Sequence, residues 1–278
     1  MLGVTSPRST AWSVSAVTEP YRLIWTHREL LFQVAKTTLL QRHAGSLLGA
    51  LWLVAGPLLL LVTYAYMFVV IFGARPPSLT TGQYVTHMFC GLVLLLTTSQ
   101  GLSTATSSLA QEPGLLFNQV FPAELFPIRE VLAATPLLFI GLIVAPIWAL
   151  EIGSLSWAWL LLPLLLVLTM MTLIGCAWVL SLANLVVRDT PQILAYVLTL
   201  LMLTSPIAYE ASMLPKSARL LVALNPFAYF VTAFQDIIVH GRAPGPWLLA
   251  GIAATGLITF HGAYALFKRG KSVIAENI

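Results

Sequence analysis

Charge is what this 278-residue chain has least of: Asp, Glu, Lys and Arg make up only 9% of it, against roughly a quarter in soluble domains. A surface that faces water cannot be assembled from so few ionised groups, which excludes a soluble globular fold. Cysteine is scarce as well. Cys90 and Cys176 are the whole complement, and both lie inside apolar runs. A disulfide framework is therefore excluded, and small buried residues account for them better than metal ligation does. The sequence has no Gly-x-x-x-x-Gly-Lys-Ser/Thr phosphate loop, so ATP hydrolysis cannot come from this chain. It also has no basic patch with interleaved aromatics in a polar segment, which argues against nucleic acid as a partner.

What is present is apolar length. Stretches free of all four charged residue types run over 43–74, 76–111, 131–150, 152–187, 190–209 and 243–267. Each can hold the roughly 20 apolar residues that a helix needs to cross a bilayer. Six spanning helices are expected near 47–72, 84–108, 128–150, 156–183, 190–209 and 247–267. The first apolar run is longer than the h-region of a secretory signal, so the N-terminus is expected to stay on the side of synthesis. Six crossings return the C-terminus to that side. With that side cytoplasmic, Arg8, Arg22, Arg28, Lys36, Arg42, Arg129, Arg188, Lys268, Arg269 and Lys271 lie inside, and Arg75, Lys216, Arg219 and Arg242 outside. That asymmetry is the positive-inside pattern, and it also explains a pI near 9.2 through contact with anionic lipid heads.

Three connecting segments carry more information than the spans. Residues 1–19 read as a flexible tail. From about 20 to 43 Tyr21, Ile24, Trp25, Leu31, Phe32, Ala35 and Leu39 recur at three- and four-residue steps, with Pro20 at the first turn. This describes an amphipathic helix lying on the membrane surface, either as a plain anchor or as a docking element. Gly45 and Gly49 follow one turn apart, a spacing that lets a second helix approach closely, but their position matters more, since it marks the bend from the surface helix into the first span, where Gly56-Pro57 then offers a kink.

The second segment, about 111–127, is an apolar loop containing Leu115, Leu116, Phe117 and Phe121. Prolines at 113, 122 and 127 limit it to a helix of about two turns. Its apolar face is buried either in the lipid interface or in a groove of a soluble partner. The third, about 205–242, holds an apolar stretch broken at Asn225-Pro226. Two half-helices that dip into the bilayer and return account for it; an external loop packed on the protein is the alternative.

These segments, in this order, resemble the permease subunit of polysaccharide-exporting ABC transporters of the O-antigen and teichoic acid type. The likeness is carried by Gly45-Ser46-Leu47-Leu48-Gly49 with Trp52 and Pro57, Leu116-Phe117 with Phe121-Pro122-Ala123-Glu124, Arg188-Asp189, Ser205-Pro206-Ile207 with Tyr209, Leu214-Pro215 and Asn225-Pro226. It covers the chain from about residue 20 to the end. The implied fold is all-α and integral to the membrane: six transmembrane helices in one domain over 20–278, an N-terminal interface helix, a short cytoplasmic coupling helix and re-entrant half-helices before the last span.

The resemblance also implies partners. These are a second copy of this chain, two cytoplasmic ATPase subunits that bind the ATP and Mg, membrane lipid, and a lipid-linked polysaccharide as cargo. Arg28 and Lys36 on the interface helix, with Glu112, Leu115, Leu116, Phe117, Phe121 and Glu124 in the loop, are the residues expected to meet the ATPase. Tyr64, Phe68 and Phe72 form a stripe on the first span, and Tyr196 and Tyr209 sit on the fifth. Exporters of this family are similar in having aromatic-lined conduits; packing on neighbouring helices is the plainer role for such residues. Arg42, His43 and Arg188 are placed to meet the pyrophosphate of a lipid carrier, or to serve as ordinary positive-inside anchors.

Other classes fit less well. A permease of this type for drugs or other lipids is the nearest alternative. An ion-coupled transporter or channel would carry ionisable groups within its spans, and none lies deep; His87 and His261 fall near span ends. An intramembrane hydrolase would need a nucleophile elbow, and Gly101-Leu102-Ser103-Thr104-Ala105 lacks the final glycine and lies in a helix.

Overall fold

A computed structural model describes residues 14–42, 44–111, 122–210 and 213–276. Among these there is no strand. The helices are α1 (Val14–Thr26), α2 (Arg28–Arg42), α3 (Trp52–Ala65, prolonged by a wider turn over Tyr66–Ile71), α4 (Thr81–Gln111), α5 (Leu125–Ile152), α6 (Leu162–Val186), α7 (Thr190–Thr204), α8 (Lys216–Leu224), α9 (Pro226–Ile238) and α10 (Pro246–Glu276).

Five segments among the described residues are long and apolar enough to cross a membrane: Trp52–Ile71, Thr81–Gln111, Leu125–Glu151, Trp157–Val186 and Pro246–Lys271. The fifth span expected from sequence, 190–209, is shorter than its charge-free run. Helix α7 stops at Thr204 after 15 residues, or roughly 22 Å, whereas the hydrocarbon layer is about 30 Å thick. Pro206 accounts for the stop, because a proline disfavours helix at the preceding residue and Ser205 is extended at φ −89, ψ 142. The interface segment also differs from expectation. It begins at Val14, carries Pro20 inside α1, and is two helices separated at His27.

The core forms around α4, which is buried on nearly every side from Tyr84 to Leu109 and packs on α3, α5, α6, α7 and α9. Gly175 sets the approach of α6 to α10: a Cβ there would lie 2.6 Å from the Thr259 carbonyl, so only glycine lets the two backbones meet. Trp178, one turn on, is fully buried with its ring 5.2 Å from Phe260 and 5.3 Å from Tyr264.

Gly45 and Gly49 serve the bend expected at their position and not a close helix approach. Both precede α3, have φ of +80 and +50, and a Cβ on either would meet nothing within 4 Å. Their freedom to adopt left-handed backbone turns the chain from α2 into α3.

Two helices remain poorly covered. Leu61 is the buried residue of α3, while Ile193, Tyr196, Leu200 and Leu203 of α7 are exposed. In a membrane such apolar faces meet lipid or another helix.

Candidate functional site: charged struts, an aromatic ladder and a polar cavity

At the end of the bundle where α1 meets the last turns of α10, three ion pairs tie distant parts of the chain together. Arg42, the last residue of α2, reaches α5: its Nη2 donates to Glu130 Oε2 at 2.6 Å and to Thr104 Oγ1 of α4 at 3.0 Å. Arg129 Nε donates to the other Glu130 oxygen at 3.1 Å. Glu130 and Arg42 have side chains only 10% and 17% exposed, so the pair is largely shielded from screening. Buried Nη1 of Arg42 has no hydrogen-bond partner among the described residues.

The second strut joins Glu124, at the start of α5, to Lys271 Nζ at 3.1 and 3.2 Å. The Glu124 backbone carbonyl accepts from Trp178 Nε1 at 2.9 Å, so α5, α6 and α10 converge on one residue. The third joins Lys268 to Glu19 at 2.6 Å, beside Tyr21, whose hydroxyl lies 3.1 Å from His261 Nε2. Sequence reasoning missed all three. Their signal was present in the scarcity of acids, since Glu19, Glu124 and Glu130 are among only 10 acidic residues and an apolar chain has few partners to offer a cation.

The residues expected to meet an ATPase divide. Glu112, Leu115, Leu116, Phe117 and Phe121 lie outside the described residues, as does His43. Glu124 is turned inward and held as above. Arg28 and Lys36 line a groove between α2 and α5. Arg188 is exposed in the turn between α6 and α7, a setting different from that of the shielded Arg42.

The aromatic stripe is a continuous ladder. The Tyr64 and Phe68 rings stack at 6.0 Å and Phe72 meets Phe68 edge-on at 5.7 Å. Tyr64 and Phe68 are half-buried while Phe72 is exposed, and the Tyr64 hydroxyl reaches Met202 Sδ of α7 at 3.9 Å. Tyr196 stands on the open face of α7, 75% exposed. Tyr209 is not on that helix: it lies in the irregular segment beyond Thr204, with its hydroxyl bonded to the Leu203 carbonyl at 3.4 Å.

Beyond α7, two amides on α9 or its start hold the non-helical backbone. Asn225 Oδ1 accepts from the Phe227 and Ala228 N–H groups, while its Nδ2 donates to the Leu201 carbonyl, Thr204 Oγ1 and Ser205 Oγ. Gln235 Nε2 donates to the carbonyls of Pro206 at 2.8 Å and His87 at 3.2 Å. The chain thus satisfies the backbone groups that the Ser205-Pro206 break leaves open.

A polar cavity of about 430 Å³ adjoins this region, lined by Ser78, His87, Glu210, Gln235, Asp236 and His240 among others. His87 is buried, and both its ring nitrogens are without a partner among the described residues. Asp236 binds Arg242 at 2.7 Å, and Ser78 donates to Glu210 at 3.0 Å. Burial first, and the Arg242 charge second, hold the His240 imidazole below the ordinary histidine range.

A helical bundle with several apolar spans, ion pairs gathered at its ends and two uncovered helices has the form of a multi-pass membrane permease. Residues 29–239 match the ABC-2 type transporter family, and the chain belongs to it. The O-antigen export system permease protein RfbA of Myxococcus xanthus is similar at 26% identity, over 92% of this chain and 98% of that protein. Two proteins of the same description from Klebsiella pneumoniae are 24% and 23% identical, each over 89% of this chain and 94% of its own length.

Proposed function

We propose that this chain is the membrane subunit of an ATP-driven exporter that moves a lipid-linked polysaccharide, O-antigen-like or teichoic-acid-like, across the bacterial inner membrane. The observation that carries the reading is the near end-to-end similarity to three O-antigen export permeases. The working unit is a homodimer with two ATPase subunits on the cytoplasmic side, where ATP and Mg are bound. Both termini face the cytoplasm, and α7 together with the segment to Glu210 makes a sixth crossing; α8 and α9 are re-entrant.

The loop over 112–121 inserts its apolar side chains into the ATPase, and the Glu124–Lys271 strut passes its movement to α5 and α10. The open faces of α3 and α7 meet across the dimer, and Tyr64, Phe68, Phe72, Tyr196 and Tyr209 line the path between them. Aromatic faces suit a sliding glycan because they offer contact area without a fixed hydrogen-bond register. Arg42, His43 and Arg188 receive the diphosphate of the lipid carrier. The buried, unpartnered Nη1 of Arg42 supports that role.

Disruption of the gene, with surface polysaccharide as readout, tests the function: polymer should accumulate inside the cell and return to the surface on complementation. Unchanged surface polymer would overturn it. Phe117→Asp with Phe121→Asp should release the ATPase from detergent-purified complex, and full retention of the ATPase would exclude the loop as its docking element.

A further inference from the structure

We propose that the groove between α2 and α5 is a binding site for one anionic phospholipid, with its phosphate held by Arg28 and Lys36 and its acyl chains laid along α5. The groove has a volume of about 730 Å³ and is walled by Leu31, Phe32 and Ala35 on one side and Pro136, Phe139 and Ile143 on the other. Thr135, which also lines it, donates its hydroxyl hydrogen to the Leu132 carbonyl at 2.7 Å and so has no further proton to donate. Apart from the two cations and this one hydroxyl oxygen the lining is apolar.

Charge and depth decide the occupant. Arg28 and Lys36 are exposed on the same helix and both border the groove. A guanidinium has five N–H donors; Arg28 directs one to the Trp25 carbonyl at 3.2 Å, stacks over the Trp25 ring at 4.7 Å and lies 3.7 Å from the exposed Glu29 carboxylate, which leaves further donors for a phosphate. Lys36 has no partner among the described residues. Around them Tyr21, Trp25 and Phe32 are 43%, 70% and 70% exposed, the aromatic setting of a helix at headgroup depth. Below them the apolar surface continues along α5 through the exposed residues Phe139, Ile143, Ile147 and Leu150, a path for hydrocarbon that a soluble partner could not reach. Two cations over an apolar cleft between helices match a phosphate joined to acyl chains. The lipid site stands whichever polymer is exported.

Native mass spectrometry of the permease–ATPase complex, titrated with phosphatidylglycerol, tests the site. The double variant Arg28→Gln, Lys36→Gln should bind phosphatidylglycerol about 30-fold more weakly, at roughly a tenfold factor per 1.4 kcal/mol and about 1 kcal/mol per cation, with its ATPase still attached. Zwitterionic phosphatidylethanolamine should bind the unaltered protein less tightly than phosphatidylglycerol. Ile143→Trp, at an exposed position that leaves packing intact, should also weaken the lipid with both cations present. Arg219→Gln, an exposed cation on α8, should change nothing. Equal affinity in the double variant, or an equal loss with Arg219→Gln, would overturn the site. Loss of the ATPase with lipid affinity retained would assign the two cations to the protein partner instead.

Discussion

Arg42 and Glu130, 88 positions apart in sequence, close to 2.6 Å at the junction of α2, α4 and α5. This contact ties the end of the interface segment to the bundle where the chain turns toward α3. Glu130→Ala would leave the Arg42 guanidinium shielded and without its carboxylate, at a cost of about 3 kcal/mol. Thermal unfolding in detergent should show a lowered midpoint, and Arg42→Met with Glu130→Met should recover much of it because neither charge is then stranded. Equal midpoints for the single variant and the unaltered protein would remove the pair from the account of stability.

Gly175 and Gly251 offer a controlled comparison. Gly175→Ala places a Cβ 2.6 Å from the Thr259 backbone, which forces α6 and α10 apart and should reduce the yield of monodisperse protein. Gly251→Ala, whose Cβ meets nothing within 4 Å, should be tolerated, or stabilise by up to about 1 kcal/mol through helix propensity. Size-exclusion profiles of fluorescent fusions check both.

Asn225 should be sensitive in two stages. Asn225→Ala removes the cap of α9 and the donors to Leu201, Thr204 and Ser205, an expected loss of about 2 kcal/mol. Asn225→Asp keeps the acceptor for the Phe227 and Ala228 N–H groups but loses the donor to the Leu201 carbonyl, so its thermal midpoint should lie between the two.

Phe72 and Tyr196 are exposed, so truncating them should leave stability nearly unchanged. On the proposed path, Phe72→Ala combined with Tyr196→Ala should reduce surface polysaccharide in a complemented deletion strain at normal membrane levels of the protein. Undiminished surface polymer would make both residues lipid-facing.

Much of the architecture is legible in the sequence because the bilayer imposes a length and a composition. Charge-free runs of 20 or more residues locate the spans: Trp52–Ile71, Thr81–Gln111, Leu125–Glu151, Trp157–Val186 and Pro246–Lys271 overlap those expected, the first starting later and the last running further. Asn225-Pro226 divides α8 from α9 as the proline and the capping amide require. The fifth span reads less well. A charge-free run measures hydrophobicity alone, while helix length at α7 is set by Ser205-Pro206 and by the amides of Asn225 and Gln235 that stabilise the break.

Sequence by itself determined that the chain is a membrane protein, where most of its helices lie, and which exporter family it resembles, since each follows from local composition or from ordered short motifs. Tertiary structure decided what the few charges and glycines are for. Arg42 with Glu130, Glu124 with Lys271 and Glu19 with Lys268 find each other across 88, 147 and 249 positions, and Gly175 admits a helix. Such roles depend on which surfaces meet, and a hydrophobic run long enough to span a bilayer does not encode which neighbour it packs against.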